Sequence, residues 1–472
     1  MCLLLFVFLH MATLAHGDTL TLRLCDAIAM ACEHSSDARA ARHTILAAEW
    51  SYKFYKANYL PTVTLSSTPN LNRVISKVTQ PDGTASFVEQ NQLSSDVSLS
   101  ITQNVPFTGG QLFLKSSLLR QEELIDRRTA YSTQPVVIGY QQSLFGYNSF
   151  KWERVLEPLR YEAAQKSYAE TMELIAARAC SYFFTLAAAQ TELYMAQYNY
   201  ASADTLNHYA RGRYNIGTIT ESEMLQLELN KISAEANVLN ARSSLEDAMV
   251  TMRSYLALDK ETIIEAVAEF DIPHLSADAK KAIELARTHS PDPVINEMRR
   301  HESRSSLAQA KANAGLKSDF YIQFGLSQTA AKLADSYRTP QNTQYVAVGI
   351  TLPLLDWGRG KGKRKIAESN ARLVDIEIER AETDFEINVA KMVRQFNLQY
   401  HRVQIAEKSA IIALQRYEVA RHLYITGKST ILDLNAATTE KDAAQRGRIN
   451  ALQTFWNLYY GVRSLTGGEI FE

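Results

Sequence analysis

Apolar residues along this chain recur at two spacings, and the places where the spacing changes divide it. Residues 19–58 follow a helical period: Ala27, Ile28 and Ala31, then Ala38, Ala41, Ile45 and Ala48 share a face, and the run stops before Leu60-Pro61. The period then becomes two. Phe320, Ile322, Phe324 and Leu326 alternate with polar or small neighbours, as do Val346, Val348, Ile350, Leu352 and Leu354. Val97, Leu99 and Ile101 repeat the pattern earlier in the chain, and segments near 62–68 and 135–145 follow it more loosely. Each such segment is short, with one apolar face and one polar or small face, and is bounded by polar loops.

Between these segments the helical period returns and persists. From about Phe150 to Tyr214 only Pro158 interrupts it, and about 65 residues of helix measure ~100 Å. A second such stretch runs from about Lys363 to Tyr424, and each is followed, after a glycine, by a return of about 40 residues. Helices this long cannot be wrapped by one globular core. They pack side by side as coiled coils, with Ala187, Ala188, Ala189 and Ala196 allowing close approach. Lys363, Arg364, Lys365, Glu368, Arg372, Asp375 and Glu377 keep the second helix in water. Beyond residue 17 no run of about 18 apolar residues occurs, so no transmembrane helix is predicted. Alternating strands fit either an outer-membrane barrel or an antiparallel sandwich. The company of very long polar helices favours the barrel.

The chain also repeats itself. Ala210-Arg211-x-x-Tyr214-x-x-Gly217 with Glu223 returns as Ala420-Arg421-x-x-Tyr424-x-x-Gly427 with Asp433. Upstream, Ala27-Ile28-x-x-Ala31-x-x-His34-Ser35-x-Asp37 returns as Ala282-Ile283-x-x-Ala286-x-x-His289-Ser290-x-Asp292. A duplication of this kind favours a pseudo-symmetric channel or scaffold over a single catalytic pocket. The offset between copies is larger for the upstream pair, which places surplus residues of the first half between about Pro61 and Pro135. An extra strand pair is expected there, giving four strands in the first half and two in the second.

The N-terminus carries an apolar run, Cys2 to Leu14, ending in Ala15-His16-Gly17, which reads as a secretory signal peptide although no Lys or Arg precedes it. The net charge of −1 gives no electrostatic case for a nucleic-acid partner. Cys25 and Cys32 sit about 10 Å apart on a predicted helix, and with Cys180 left over no disulfide framework or metal site is read. The histidines show no metal-ligand spacing, and neither a nucleophile signature nor a nucleotide-binding loop is present, so no enzyme and no cofactor are expected. Gly358-Arg359-Gly360-Lys361 reads as a tight bend followed by a solvated basic turn, not a phosphate loop. Tyr140, Tyr147, Trp152, Tyr345 and Trp357 lie near strand ends, where an interfacial aromatic belt is expected.

These features together resemble the TolC-like outer-membrane efflux proteins. The duplication, the Tyr-x-x-Gly-x5-acid motif in both halves, and Leu352-Pro353-Leu354-Leu355-Asp356-Trp357-Gly358-Arg359-Gly360 carry the resemblance, with Gln142-Ser143-Leu144-Phe145-Gly146 as a weaker first-half counterpart. The resemblance implies a mainly α protein with membrane β structure: an internally duplicated, long α-helical coiled-coil barrel plus a transmembrane β-barrel shared by a trimer. It implies a passive exit duct for drug efflux or type I secretion. Its partners would be two further copies, a periplasmic adaptor, an inner-membrane transporter and outer-membrane lipid.

On this reading residues 1–17 are the signal peptide and 18–60 a periplasmic helix. Residues 61–147 form strands with an inserted hairpin near 93–120, and 148–258 a helical hairpin with its tip near 214–220. Then come a linker at 259–275, a second periplasmic helix at 276–318, strands at 319–357, a second hairpin at 358–466 with its tip near 424–430, and a tail at 467–472. The tips, Ile216-Gly217-Thr218-Ile219 and Thr426-Gly427-Lys428-Ser429, are the expected adaptor grip. Tyr214, Glu223, Tyr424, Lys428 and Asp433 are the expected constriction, with the acids about one and a half turns into the returning helices and Tyr424–Glu223 as the favoured pair. Pro353, Asp356, Trp357 and Gly358 make the barrel–helix junction. Ser429 stands where the family often has Arg, and Ala436 and Ala437 stand where a second acid is expected. The competing reading is a secreted or periplasmic structural coiled-coil protein without a pore. An adaptor is disfavoured, because one helical hairpin would suffice there.

Overall fold

The computed structural model describes residues 19–269, 271–468 and 470; the expected signal peptide and part of the expected C-terminal tail lie outside the described residues. The chain divides into two units, one holding residues up to 46, 164–293 and from 382, the other 47–163 and 294–381.

The duplication appears as paired elements of matching length. Helices α1 (Leu24–His34) and α5 (Ala279–His289) have 11 residues each. Each buries two alanines, Ala27 and Ala31 or Ala282 and Ala286, and each ends where a fully buried serine, Ser35 or Ser290, donates its backbone N–H to the last alanine's carbonyl. The serine hydroxyls then accept from Ala38 N and Asp292 N, starting α2 (Ser36–Ala57) and α6 (Asp292–Ala314). Each predicted periplasmic helix is therefore two helices broken at a buried serine. The long helices α3 (Ser149–Asn215) and α7 (Arg359–Ile425) have 67 residues each, and their returns, α4 (Glu221–Leu256) and α8 (Ile431–Thr466), 36 each. Phe183, Phe184, Met252, Leu256, Phe396 and Phe455 form the centre of this unit's core.

Two differences from the sequence reading arise here. A stretch of α3 is apolar enough, by length and composition, to cross a membrane. Its apolar side chains, Ile175, Ala179, Phe183 and Leu186 among them, are in the core, which accounts for the composition. The expected linker at 259–275 contains a strand, β6 (Ile263–Val267), which pairs in parallel with β1 (Thr19–Arg23), a strand ahead of α1. Five residues are too few to register as alternation, and a parallel partner so distant in sequence leaves no local signal.

The second unit holds one antiparallel sheet of six strands in the order β2 (Thr62–Thr79), β3 (Ala85–Val105), β4 (Gly110–Glu123), β5 (Arg128–Ser143), β7 (Lys317–Ala330) and β8 (Gln341–Thr351). Four come from the first half of the chain and two from the second. β2 and β3 have 18 and 21 residues, well beyond the 9–11 that a membrane strand needs. Their pairing continues from Asn91 outward, past the last β4 partner at Gln92, so residues 73–91 form a two-stranded ribbon.

Candidate functional site

The sheet sorts its side chains by face. One cross-strand row reads Val63, Ile101, Leu114, Ile138 and Phe324; the next row on the same side includes Leu112, Tyr140, Ile322 and Val346. Most of these apolar side chains are exposed. Rows on the other side read Thr62, Thr102, Phe113, Gly139, Gln323 and Tyr345, and Thr64, Ser100, Lys115, Val137, Gly325 and Thr343. An apolar face exposed across all six strands, backed by a hydroxyl- and amide-rich face, is the arrangement of a wall between hydrocarbon and water. The outer strands β2 and β8 each leave one edge unpaired within the chain.

At the barrel–helix junction, Asp356 accepts backbone N–H groups from Gly358 (2.9 Å) and Gly360 (2.7 Å), which hold its carboxyl below the usual range. Trp357 and Gly358 both have positive φ, 54° and 84°, and make the bend, with Trp357 exposed and Pro353 upstream of it. Gly358 supplies that conformation at little cost; Trp357 adopts it under the Asp356 cap.

The hairpin tips of the first unit are built alike. Gly217 N–H donates to Tyr214 O and Thr218 N–H to Arg213 O; Gly427 donates to Tyr424 O and Lys428 to Leu423 O. The glycines have φ of 72° and 73°, as this helix-ending motif requires. Each returning helix is capped by a threonine: Thr220 Oγ1 accepts from Glu223 N (3.2 Å), and Thr430 Oγ1 from Asp433 N (3.3 Å). Glu223 Oε2 accepts in turn from Thr220 N, and Asp433 Oδ2 from the hydroxyls of Ser429 and Thr430. The Ser429 bond first, then Thr430, holds the Asp433 carboxyl low. Both acids therefore sit in the first turn, at N3, not one and a half turns in, because each helix starts right after its Thr. The repeated acid of the motif is thus accounted for by capping chemistry.

The two tips pack on each other through Leu206, Ala210, Leu227, Tyr417, Tyr424, Ile431, Leu434 and Ala437. Tyr424 is 7 % exposed, whereas its repeat partner Tyr214 is 39 % exposed. Burial chiefly raises the Tyr424 hydroxyl, Arg213 opposing and Glu223 adding, so these three groups are brought into electrostatic range. Ile216, Gly217, Thr218, Thr426, Gly427 and Lys428 are exposed, and Ile219 and Ser429 half-buried.

Sequence reasoning missed a polar knot above the tips. Lys441 on α8 is 4 % exposed; its Nζ donates to Asn199 Oδ1 (2.6 Å), pairs with Asp442 (3.3 Å) and lies 4.3 Å from the Tyr417 ring centroid. Asn199 Nδ2 donates to Asp442 Oδ2 (2.7 Å), and Tyr417 shares a hydrogen bond with Ser202. Lysine in a charged helix reads as solvated, so nothing in the spacing marks it.

Residues 282–468 match the family model described as outer membrane efflux protein. Over 453 residues, 93 % of this chain and 85 % of the relative, the chain is 23 % identical to the pyoverdine export outer membrane protein OpmQ of Pseudomonas putida. In fold it is similar to the CmeC outer membrane channel of Campylobacter jejuni (TM-score 0.68, 14 % identity, 95 % of this chain and 86 % of that one). It is also similar to the outer membrane protein VceC of Vibrio cholerae (TM-score 0.65, 15 % identity, 94 % and 96 %). The family match is confined to residues 282–468, and the chain as a whole has the TolC-like fold. The partial family match, the relative and the shared fold together point to an outer-membrane protein that extends into the periplasm.

Proposed function

We propose that the chain assembles as a homotrimer whose shared barrel is the exit duct of an efflux or type I secretion system, gated at its periplasmic tips. The observation that carries this is the six-stranded sheet with one apolar face, one polar face and two open edges. Six strands are too few to close alone, and an open edge is not tolerated in lipid. Joining β8 of one copy to β2 of the next, three copies give 18 strands. At normal strand spacing and tilt such a barrel is about 35 Å across at the backbone, in the range that leaves an aqueous channel.

The helices support the same assembly. Leu225, Leu229, Ile232 and Leu239 are exposed on α4 at steps of four, three and seven residues, and Leu398, Ile405, Ile412 and Val419 are exposed on α7 every seven residues. Such seams call for a partner helix from another copy. Glu223, Asp433, Tyr424, Tyr214 and Lys428 would form the constriction. The exposed tip residues Ile216 to Ile219 and Thr426 to Ser429 would be gripped by a periplasmic adaptor that connects to an inner-membrane transporter. The reading assigns the chain transport without chemistry of its own. The OpmQ relative is named for export of pyoverdine, which favours a small-molecule cargo here.

The test is negative-stain imaging of detergent-extracted protein, classes averaged without imposed symmetry. Three-fold cylinders with a detergent belt at one end are expected. Beltless rods that stay soluble without detergent would instead favour a structural coiled-coil protein.

A further inference from the structure

We propose that the polar face of the sheet carries a binding ledge for planar, non-anionic aromatic molecules; this rests on that face lining the channel. Phe113 on β4, Tyr321 on β7 and Tyr345 on β8 form a continuous aromatic row. The Phe113 and Tyr321 rings stack with centroids 5.7 Å apart, and Tyr321 meets Tyr345 edge-on at 5.8 Å. Gly139 lies between them: a Cβ there would come within 2.2 Å of the Phe113 ring, so the ring rests on bare backbone. Tyr345, on the edge strand, is 54 % exposed and presents its ring to the solvent of that face.

Beside the ledge runs a ladder of neutral amides. Gln141 Nε2 donates to Gln111 Oε1 (2.9 Å), and Gln111 Nε2 to Asn104 Oδ1 (3.2 Å). Asn104, Gln111, Gln141 and Tyr321 line an open recess of about 430 Å³, to which Asp319 also contributes. The Tyr321 hydroxyl donates to Gln323 (2.7 Å), which fixes its ring.

The two rows holding the rings and amides contain no charged residue; Lys115 lies in the row beyond them on one side and Asp319 on the other. Same-face rows are about 7 Å apart, so Lys115 and Asp319 are about 20 Å apart, too far for one small molecule to reach both. Rings for stacking and amides for edge hydrogen bonds select flat, heteroatom-bearing aromatics, and the Asp319 carboxylate in the recess disfavours anionic ones. Three copies would place three such ledges on the wall.

The probe is riboflavin, neutral, planar and quenched by tyrosine, titrated into detergent-solubilised protein by fluorescence. Saturable quenching is expected, at least tenfold weaker in affinity for the Tyr321→Thr/Tyr345→Thr variant and restored by Tyr321→Phe/Tyr345→Phe. Tyr345→Thr alone, which leaves the Phe113 packing on Gly139 intact, is expected to weaken it severalfold and guards against misassembly of the double variant. Non-saturable quenching, or equal affinity in every variant, overturns the ledge. Imaging the same sample separates the two readings: belted three-fold particles without saturable quenching sink the ledge alone, and their absence sinks the channel and the ledge with it.

Discussion

Replacing Lys441 by Met should loosen the two helical hairpins from each other near their tips, by an amount the structure allows to be worked out. Met keeps the apolar stem in its packed position and removes only the ammonium. Lost are a charge-assisted hydrogen bond to Asn199, worth about 1.5–3 kcal/mol, and a desolvated cation–π contact with Tyr417, worth about 1–2 kcal/mol. Left behind is the Asp442 carboxylate, its side chain 17 % exposed and held only by Asn199. Removing one partner of a largely buried pair costs about 3–5 kcal/mol, so about 3 kcal/mol is expected after the remaining Asn199 bond is allowed for. Lys441 bridges α8 to Asn199 on α3 and Tyr417 on α7, so the cost falls on local opening of these helices. Amide exchange of peptides covering 196–203 and 434–446 should therefore accelerate about a hundredfold. Lys441→Met/Asp442→Asn, which removes the orphaned charge, should recover most of the protection. Exchange within threefold of the parent in the single variant, or no recovery in the double, would refute the account.

Other consequences can be checked separately. Glu223→Gln keeps the carbonyl that accepts from Thr220 N while removing the charge; a lower cation preference, read as a shifted reversal potential in a salt gradient, is expected if the acid acts in the pore, and an unchanged one assigns it to capping alone. Gly217→Ala and Gly427→Ala force a side chain into positive φ and should each cost about 1–2 kcal/mol, read by thermal unfolding. Because the Asp433 carboxyl is held low by Ser429 and Thr430, its contribution is fully present above the ordinary carboxylate value of about 4 and is lost as pH falls through the lower folded value; exchange at the 429–433 tip, corrected for intrinsic rate, should rise below about pH 4, and Asp433→Asn should abolish that dependence. An epitope inserted after Asp82, in the ribbon turn where Gly83 faces open space, should be reached by antibody on intact cells, whereas one at Gly217 should not.

What could be read from the sequence followed the reach of each signal. The long helices were legible because a 3.6 period sustained over some sixty residues has few rivals, and the duplication fixed their pairing. The central parts of the strands were legible from alternation at Val97 to Ile101, Phe320 to Leu326 and Val346 to Ile350. The ribbon beyond them was not, since Val74, Ile75 and Val78 fall among Arg73, Ser76 and Lys77 without a period of two. The parallel β1–β6 pair was invisible for want of length. At the tips the residues were found but their local roles were not: Thr220-x-x-Glu223 and Thr430-x-x-Asp433 are readable capping signatures, and the reading of a carboxylate ring passed over them. Lys441 gave no signal, because its burial depends on Asn199 and Tyr417, which reach it only through the tertiary packing.

The repeats also differ where their backbones agree, and the difference bears on assembly. Both tips end in the same glycine turn and both returning helices start on a threonine cap, yet Tyr424 is enclosed by Leu206, Leu227 and Leu434 while Tyr214 stays out. The substitutions behind this are visible in the sequence: Ile431 and Leu434, which help wall Tyr424, correspond to Glu221 and Met224 in the first copy, and Tyr417 corresponds to Asn207. A duplicated hairpin with identical faces could pack on a second copy of the chain in either of two ways. Here one tip has spent its tyrosine on the contact within the chain, and the other keeps its tyrosine exposed. The tip tyrosine left exposed for a neighbouring molecule is therefore Tyr214, so the two hairpins do not present equivalent faces.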